Sequence, residues 1–267
     1  MMQGTYTAAL GIMSQQQRID TIANNLANVQ TNGFKSSRAD FKDALYQTMQ
    51  RPVAPQDGLN MEKGHGTLIS GFVRNFVQGF MYEDGGPTDL YLNSDNAWFT
   101  VQSQTGERAY TRDGQFKVSV EAGGNYLVTS FGYVLDQNGQ RIKLAEEGEL
   151  SIDKAGVISS VIRGKDENGE ETITTTPYAR LGIVSFPNQE GLEATAGNLF
   201  RQTEASGAPR ATAENEYEVR QGAYEGSNVK LEDEFSRLIR GTRMLQLSSR
   251  ALSTADEMDE TALSTRR

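Results

Sequence analysis

The sequence predicts a mostly β fold set between long terminal α-helices. Three observations carry this expectation. Apolar side chains near the start recur at helical intervals. Leucines near the end recur every seventh residue. Between them, short alternating runs are punctuated by glycine, asparagine and aspartate. The terminal helices are expected to form a coiled-coil-like inner domain, with a twisted all-β outer domain between them.

Residues 1–34 make the first region. Ile12, Ile19 and Leu26 fall seven apart, and Ile22 and Val29 sit three beyond the last two, a seam of period 3.5. Asn32–Gly33 supplies a left-handed stop for the helix. Asn24, Asn25 and Asn28 crowd the same turns. Asparagine is a poor helix-interior residue, because its amide competes for backbone groups. Two readings stay open. The amides fix register between helices or subunits, as polar seam residues do, or they face solvent or cap the helix end.

Residues 35–66 read as an irregular connector: FKDALYQTM suits a short helix or strand, and RPVAPQDGLNMEKGHG a loop. Residues 67–226 read as a β-rich body. Its strands are expected in DLYLN (89–93), AWFTVQ (97–102), QFKVSV (115–120), NYLVTS (125–130), YVLD (133–136), RIKLA (141–145) and ARLGIVSF (179–186). Asp113–Gly114, Gly123–Gly124 and Asn138–Gly139 are hairpin signals, and Asn168–Gly169 reads as a surface hairpin tip.

Residues 227–267 form the last region. Leu231, Leu238, Leu245 and Leu252 keep strict seven-residue spacing, and Gly241, Ser248 and Ala255 follow three residues after the last three. Ser227 or Asn228 can cap the helix, and Glu232, Asp233 and Glu234 suit its positive end. A helix of this span is roughly 50 Å long. Its leucine row needs a partner helix, and the small residues let that partner come close. The N-terminal helix can supply it from the same chain, from neighbours, or from both.

Composition narrows the function classes. The chain has 267 residues and a net charge of −9, which argues against nucleic acid as a partner. It has no cysteine, so no disulfide, thiol nucleophile or cysteine metal site. No apolar run is long enough to insert in a membrane, and the start lacks the pattern of a cleaved signal. His65 is the only histidine, too few for a His₂ zinc site, and no G-x-S-x-G elbow is present. Asp84-Gly-Gly and Asp136-Gln-Asn-Gly read as turns rather than calcium loops. No catalytic, metal or cofactor residues are expected.

The segment TIANNLANVQTNGFK, behind a helix carrying Gly11, Gln15, Gln16 and Gln17, resembles the N-terminal signature of the bacterial flagellar rod and hook family. RNFVQGFMYEDGGPTDLYLN, AYTRDGQFKV, YLVTSFGYVL, LGIVSFPNQEGLEATAGNLFRQT and QGAYEGSNVKLEDEFSRLIRGTRMLQLSSRALSTADEM resemble its later segments, in order. One departure is NSDNAWF, where the family carries a D-G-x-G-F-F run. The resemblance implies a structural subunit of the flagellar basal body. Such a subunit is exported through the flagellar export apparatus and stacks with copies of itself and with related axial rod or hook proteins. Length and YQTMQRP favour the distal over the proximal rod segment. An adhesin or carbohydrate-binding β domain is the competing class. The assembly surface expected on the rod reading is Ile12, Ile19, Ile22, Asn24, Asn25, Leu26, Asn28, Val29, Leu231, Leu238, Leu245 and Leu252.

Overall fold

The computed structural model describes residues 2–45, 47–49, 61–121, 123–145, 148–165, 171–195, 197–213 and 215–265. The Asn168–Gly169 tip and the whole RPVAPQDGLN stretch lie outside the described residues. The chain is mostly β with a helix at each end: α1 spans Met2–Ala27 and α2 spans Leu231–Ser264. It divides into two compact units. One gathers residues 1–27, 37–75 and 230–267; the other gathers 28–36 and 76–229.

In the first unit α1 and α2 run side by side and antiparallel. Gly4 faces Ala255, Gly11 faces Ser248, and Gly241 faces Ile19. The stretch read as a connector carries an ordered strand, Ser37–Asp43, which pairs antiparallel with Thr67–Arg74 across a bulge at Asp40/Phe41. Short strands Gln47–Met49 and Met61–Lys63 pair with each other as a separate two-stranded sheet. Thus the described part of FKDALYQTM holds strand at residues 41–43 and 47–49 and no helix.

α1 stops at Ala27, five residues before the expected Asn32–Gly33 signal begins. Residues 28–36 are committed to the second unit instead. Gly33 N–H donates to Glu225 O at 2.8 Å and Asn198 Nδ2 donates to Asn32 O. Gly33 does take a positive φ of 65°, but in that turn, where an added Cβ would lie 2.6 Å from Asp113 N. The expected cap of α2 is also revised. Lys230 occupies the N-cap position with no side-chain cap bond. Ser227 Oγ accepts from Val229 N–H, and Asn228 is engaged with Ser36 and Val77.

The second unit is built on a sheet of ten strands among the described residues. Its main path runs Lys143–Leu144, Gly124–Thr129, Gly132–Val134, Trp98–Ser103, Arg108–Thr111, Leu199–Arg201 and Glu193–Ala194. Ile183–Ser185 also joins Trp98–Ser103, and Lys117–Glu121 joins Gly124–Thr129. Each of the seven runs picked from the sequence holds a strand. A separate three-stranded sheet comprises Glu149–Ile152, Val157–Lys165 and Glu171–Arg180.

Side-chain alternation sends the central strands to two cores. Phe99, Val101, Ala109 and Leu199 enter one cluster with Leu90, Phe116 and Leu127. Trp98, Tyr110 and Phe200 enter the other with Phe76 and Phe186. Both faces of these strands are therefore buried, which is why AWFTV reads as a continuous apolar run rather than a clean alternation. Gly124 and Asn138–Gly139 do make hairpin turns, the latter closed by Asp136 Oδ1 accepting from Asn138 and Gln140 N–H. Asp113–Gly114 does not. The strand before it pairs elsewhere, and Gly114 is needed because Leu90 O lies where a Cβ would be, 1.7 Å away.

Candidate assembly interface

The row of α2 turned toward α1 steps by four and three residues: Glu234, Leu238, Gly241, Leu245, Ser248, Leu252 and Ala255. Each is less exposed than its flanking residues. Leucine thus alternates with a small residue along the contact. The small ones set the spacing: an added Cβ at Gly241 would lie 3.2 Å from Ile19 Cγ1, and one at Gly11 3.7 Å from Ser248 Oγ.

The expected surface residues divide. Ile22 is buried, and Ile12 and Ile19 are half-buried on α1. Leu26 is half-buried near the helix end, and Val29 is half-buried beyond it. Leu238, Leu245 and Leu252 are half-buried in the row, whereas Leu231 is 44% exposed and stands outside it. A second apolar population remains open. Leu231, Phe235 and Ile239 lie on one flank of α2, and Met244, Leu247 and Met258 on another. On α1, Tyr6 and Met13 are exposed.

The three asparagines have three different surroundings. Asn25 is 1% exposed, and its amide binds the backbone of Ser37 twice: Nδ2 donates to Ser37 O at 2.7 Å, and Ser37 N–H donates to Oδ1 at 2.9 Å. The amide thereby fastens strand Ser37–Asp43 to α1 as a ladder pair would. Asn28 accepts from the Thr31 hydroxyl through Oδ1 and from Thr31 N–H through its carbonyl, a turn at the helix end. Asn24 is exposed. Replacing Asn25 by alanine leaves Ser37 N–H and C=O without these partners and should cost about 1–3 kcal/mol. Denaturant unfolding of the full chain checks this, and a loss below ~0.5 kcal/mol would contradict it.

Sequence reasoning missed the most buried ion-pair cluster among the described residues. Within the second unit, Glu225 Oε1 accepts from Lys35 Nζ at 2.6 Å and from Gly79 N–H at 2.8 Å. Its Oε2 lies 3.1 Å from Arg112 Nε. All three side chains are at most 1% exposed. Lys35 Nζ also donates to Val77 O, and Arg112 to Ala97 O while lying over the Trp98 ring. Burial pushes the Lys35 ammonium below its usual pKa, opposed by the Glu225 charge, and does the same to Arg112. Two cations therefore share one carboxylate. The hint in the sequence is a charged residue inside each of three signature stretches, GFK, AYTRDG and AYEGSN.

Near this cluster, burial raises the Asp113 carboxyl to about 6, against a hydrogen bond from Gln115 N–H and with help from the Asp89 charge. A raised carboxylate pKa favours the protonated folded state. That contribution is complete below about pH 4 and is lost as pH rises through about 6. Asp113→Asn keeps the acceptor for Gln115 and removes the charge. The variant should be more stable than wild type at pH 7.5 by about 1–2 kcal/mol, since the half-buried side chain keeps some solvent. The gap should close below pH 4, and urea midpoints across pH test it.

The described residues thus combine paired terminal helices, apolar side chains left exposed on their flanks, and a buried ionic cluster within the β body. Comparison with known proteins gives the family. Residues 6–35 match the family described as flagella basal body rod protein, residues 94–160 the flagellar hook protein FlgE/F/G D1 domain, and residues 220–265 the flagellar basal body rod FlgEFG protein C-terminal family. The chain is similar to the flagellar basal-body rod protein FlgG of Borreliella burgdorferi, at 36% identity covering 97% of this chain and 96% of that protein. It is 33% identical to FlgG of Bacillus subtilis over 97% of each chain. It is 31% identical to the rod protein FlgF of Caulobacter vibrioides over 94% of this chain and 92% of that one. The chain belongs to the flagellar basal-body rod protein family.

Proposed function

We propose that this chain is a structural subunit of the distal flagellar rod. It stacks helically with copies of itself and with related axial proteins into a hollow shaft that transmits torque. The carrying observation is full-length similarity to FlgG proteins from distant bacteria. The helix pair supports the mechanism. Its inner row is occupied within the chain, while Phe235, Ile239, Met244 and Leu247 stay open. Burying such stripes between copies contributes about 25 cal/mol per Å². Repeated heterologous contacts that do not close make a filament rather than a ring. Leu231 and the exposed Asn24 fall among these intersubunit residues, while Ile22 and Asn25 act inside the subunit. On this reading the chain leaves the cell through the flagellar export apparatus and assembles in the periplasmic zone, without inserting in a membrane.

The proximal rod is the second reading, favoured by the similarity to a FlgF protein. Electron microscopy of basal bodies from a strain lacking this chain separates the two. A rod truncated at its distal segment is expected; truncation nearer the cell supports the second reading. Basal bodies of normal length and composition would refute both.

A further inference from the structure

The first unit carries a groove that the helix pairing does not use. It encloses about 250 Å³ between α1, strand Ser37–Asp43 and the start of α2. Arg18, Arg38 and Arg237 line it over a floor of Ile22 and Phe41. Arg38 pairs with Asp40 and Arg237 with Glu234 Oε1. Arg18 lies over the Phe41 ring and makes no ion pair among the described residues. Glu234 is the one carboxylate in the lining and is paired with Arg237, so three arginines against one carboxylate leave the lining net positive.

The far end of α2 has the opposite character. Asp256, Glu257, Asp259 and Glu260 fall within five residues, and no basic residue lies between Arg250 and the chain's last two positions, Arg266 and Arg267. Two features make this block unfavourable in isolation. Like charges at Asp256/Asp259 and Asp256/Glu260 are helical neighbours, and carboxylates near a helix C-terminus oppose its dipole. None of the four makes an ion pair among the described residues, and Asp256, Glu257 and Glu260 are exposed. The block cannot relieve itself on the groove of its own copy, because Arg237 and Asp256 are roughly 28 Å apart along the helix.

We propose that successive copies join head to tail by charge: the acidic last turns of one copy's α2 seat on the Arg18/Arg38/Arg237 groove of the next. The inference rests on the rod reading and adds its polarity. Apolar stripes alone tolerate sliding, whereas a charged block that fits one groove fixes the axial step. The contact is heterologous and leaves each copy one free groove and one free acidic end, as a growing filament needs.

The absence of native cysteine permits a direct test in the full chain. Arg38→Cys with Glu257→Cys, expressed in a motile strain, should give a ladder of disulfide-linked oligomers in isolated basal bodies, absent from either single variant. D256K/E257K/E260K should lower swimming about tenfold or more. So should R18E/R38E, and combining the two sets should restore most of the loss. All sites but the half-buried Arg18 are exposed, and melting curves of the purified chains confirm folding. Full motility in both charge-reversed variants, or no ladder although the chain is present in basal bodies, overturns the inference and leaves the rod reading standing. A chain absent from wild-type basal bodies overturns the rod reading itself.

Discussion

Glu225→Ala is expected to destabilise the β body by about 3–5 kcal/mol, a large share of the ~5–15 kcal/mol that holds a domain folded. The carboxylate is the one anion bridging Lys35 and Arg112, and all three side chains are at most 1% exposed. Removing it strands two cations in the interior and leaves Gly79 N–H without its acceptor. Loss of the carboxylate's own attraction is the smaller part of the cost, because its desolvation nearly offsets that attraction in the intact protein. Glu225→Gln separates the contributions. It keeps the volume and an oxygen for Gly79 but removes the charge, so most of the loss should persist. Trp98, the single tryptophan, lies beneath Arg112 and reports unfolding by fluorescence. A shift under ~1 kcal/mol in both variants would show that the triad is not holding the body together.

Gly241→Leu should separate α1 from α2 and abolish swimming. The Cβ alone would meet Ile19 Cγ1 at 3.2 Å, and the rest of a leucine has no space between the helices. Overpacking of this kind costs about 1–3 kcal/mol, and the cheapest relief is to move α1 away. Hydrogen exchange should then show α1 amides losing protection while the β body is unchanged. Gly241→Ala is the informative control. Its methyl asks Ile19 to yield a few tenths of an ångström, while alanine favours the helix over glycine by about 1 kcal/mol. The two effects nearly cancel, so motility should survive. Wild-type swimming in the leucine variant would refute close packing of these helices as a requirement for assembly.

Local patterns were legible wherever one element's own periodicity carried the information. The leucines at 238, 245 and 252 and the small residues beside them lie on the contact face of α2, as their spacing implies. The seven runs picked from the sequence each hold a strand, but Val157–Lys165 and Glu171–Arg180, though rich in β-branched residues, were not read as strands. Legibility failed where a residue's partner is distant in sequence. Asn25 offered register, solvent or capping roles, yet its amide binds Ser37, twelve positions on, because the chain folds back to lay a strand on α1. Asp113–Gly114 carried the composition of a hairpin and is instead a site of close backbone approach. Lys35 and Glu225 are 190 residues apart, and nothing local marks them as partners.

By itself, the sequence determined the mostly β class, the two helical ends, seven of the strands and the family, because these depend on residue spacing and on motifs contiguous in the chain. Only the tertiary structure decided which side chains those elements meet: the Ser37 partner of Asn25, the buried Lys35–Glu225–Arg112 cluster, and the division of α2 into a used row and open flanks. The physical reason is that burial and ion pairing are properties of neighbours in space. A charge pair inside a core depends on the whole fold bringing its members together, and no short window of sequence contains that.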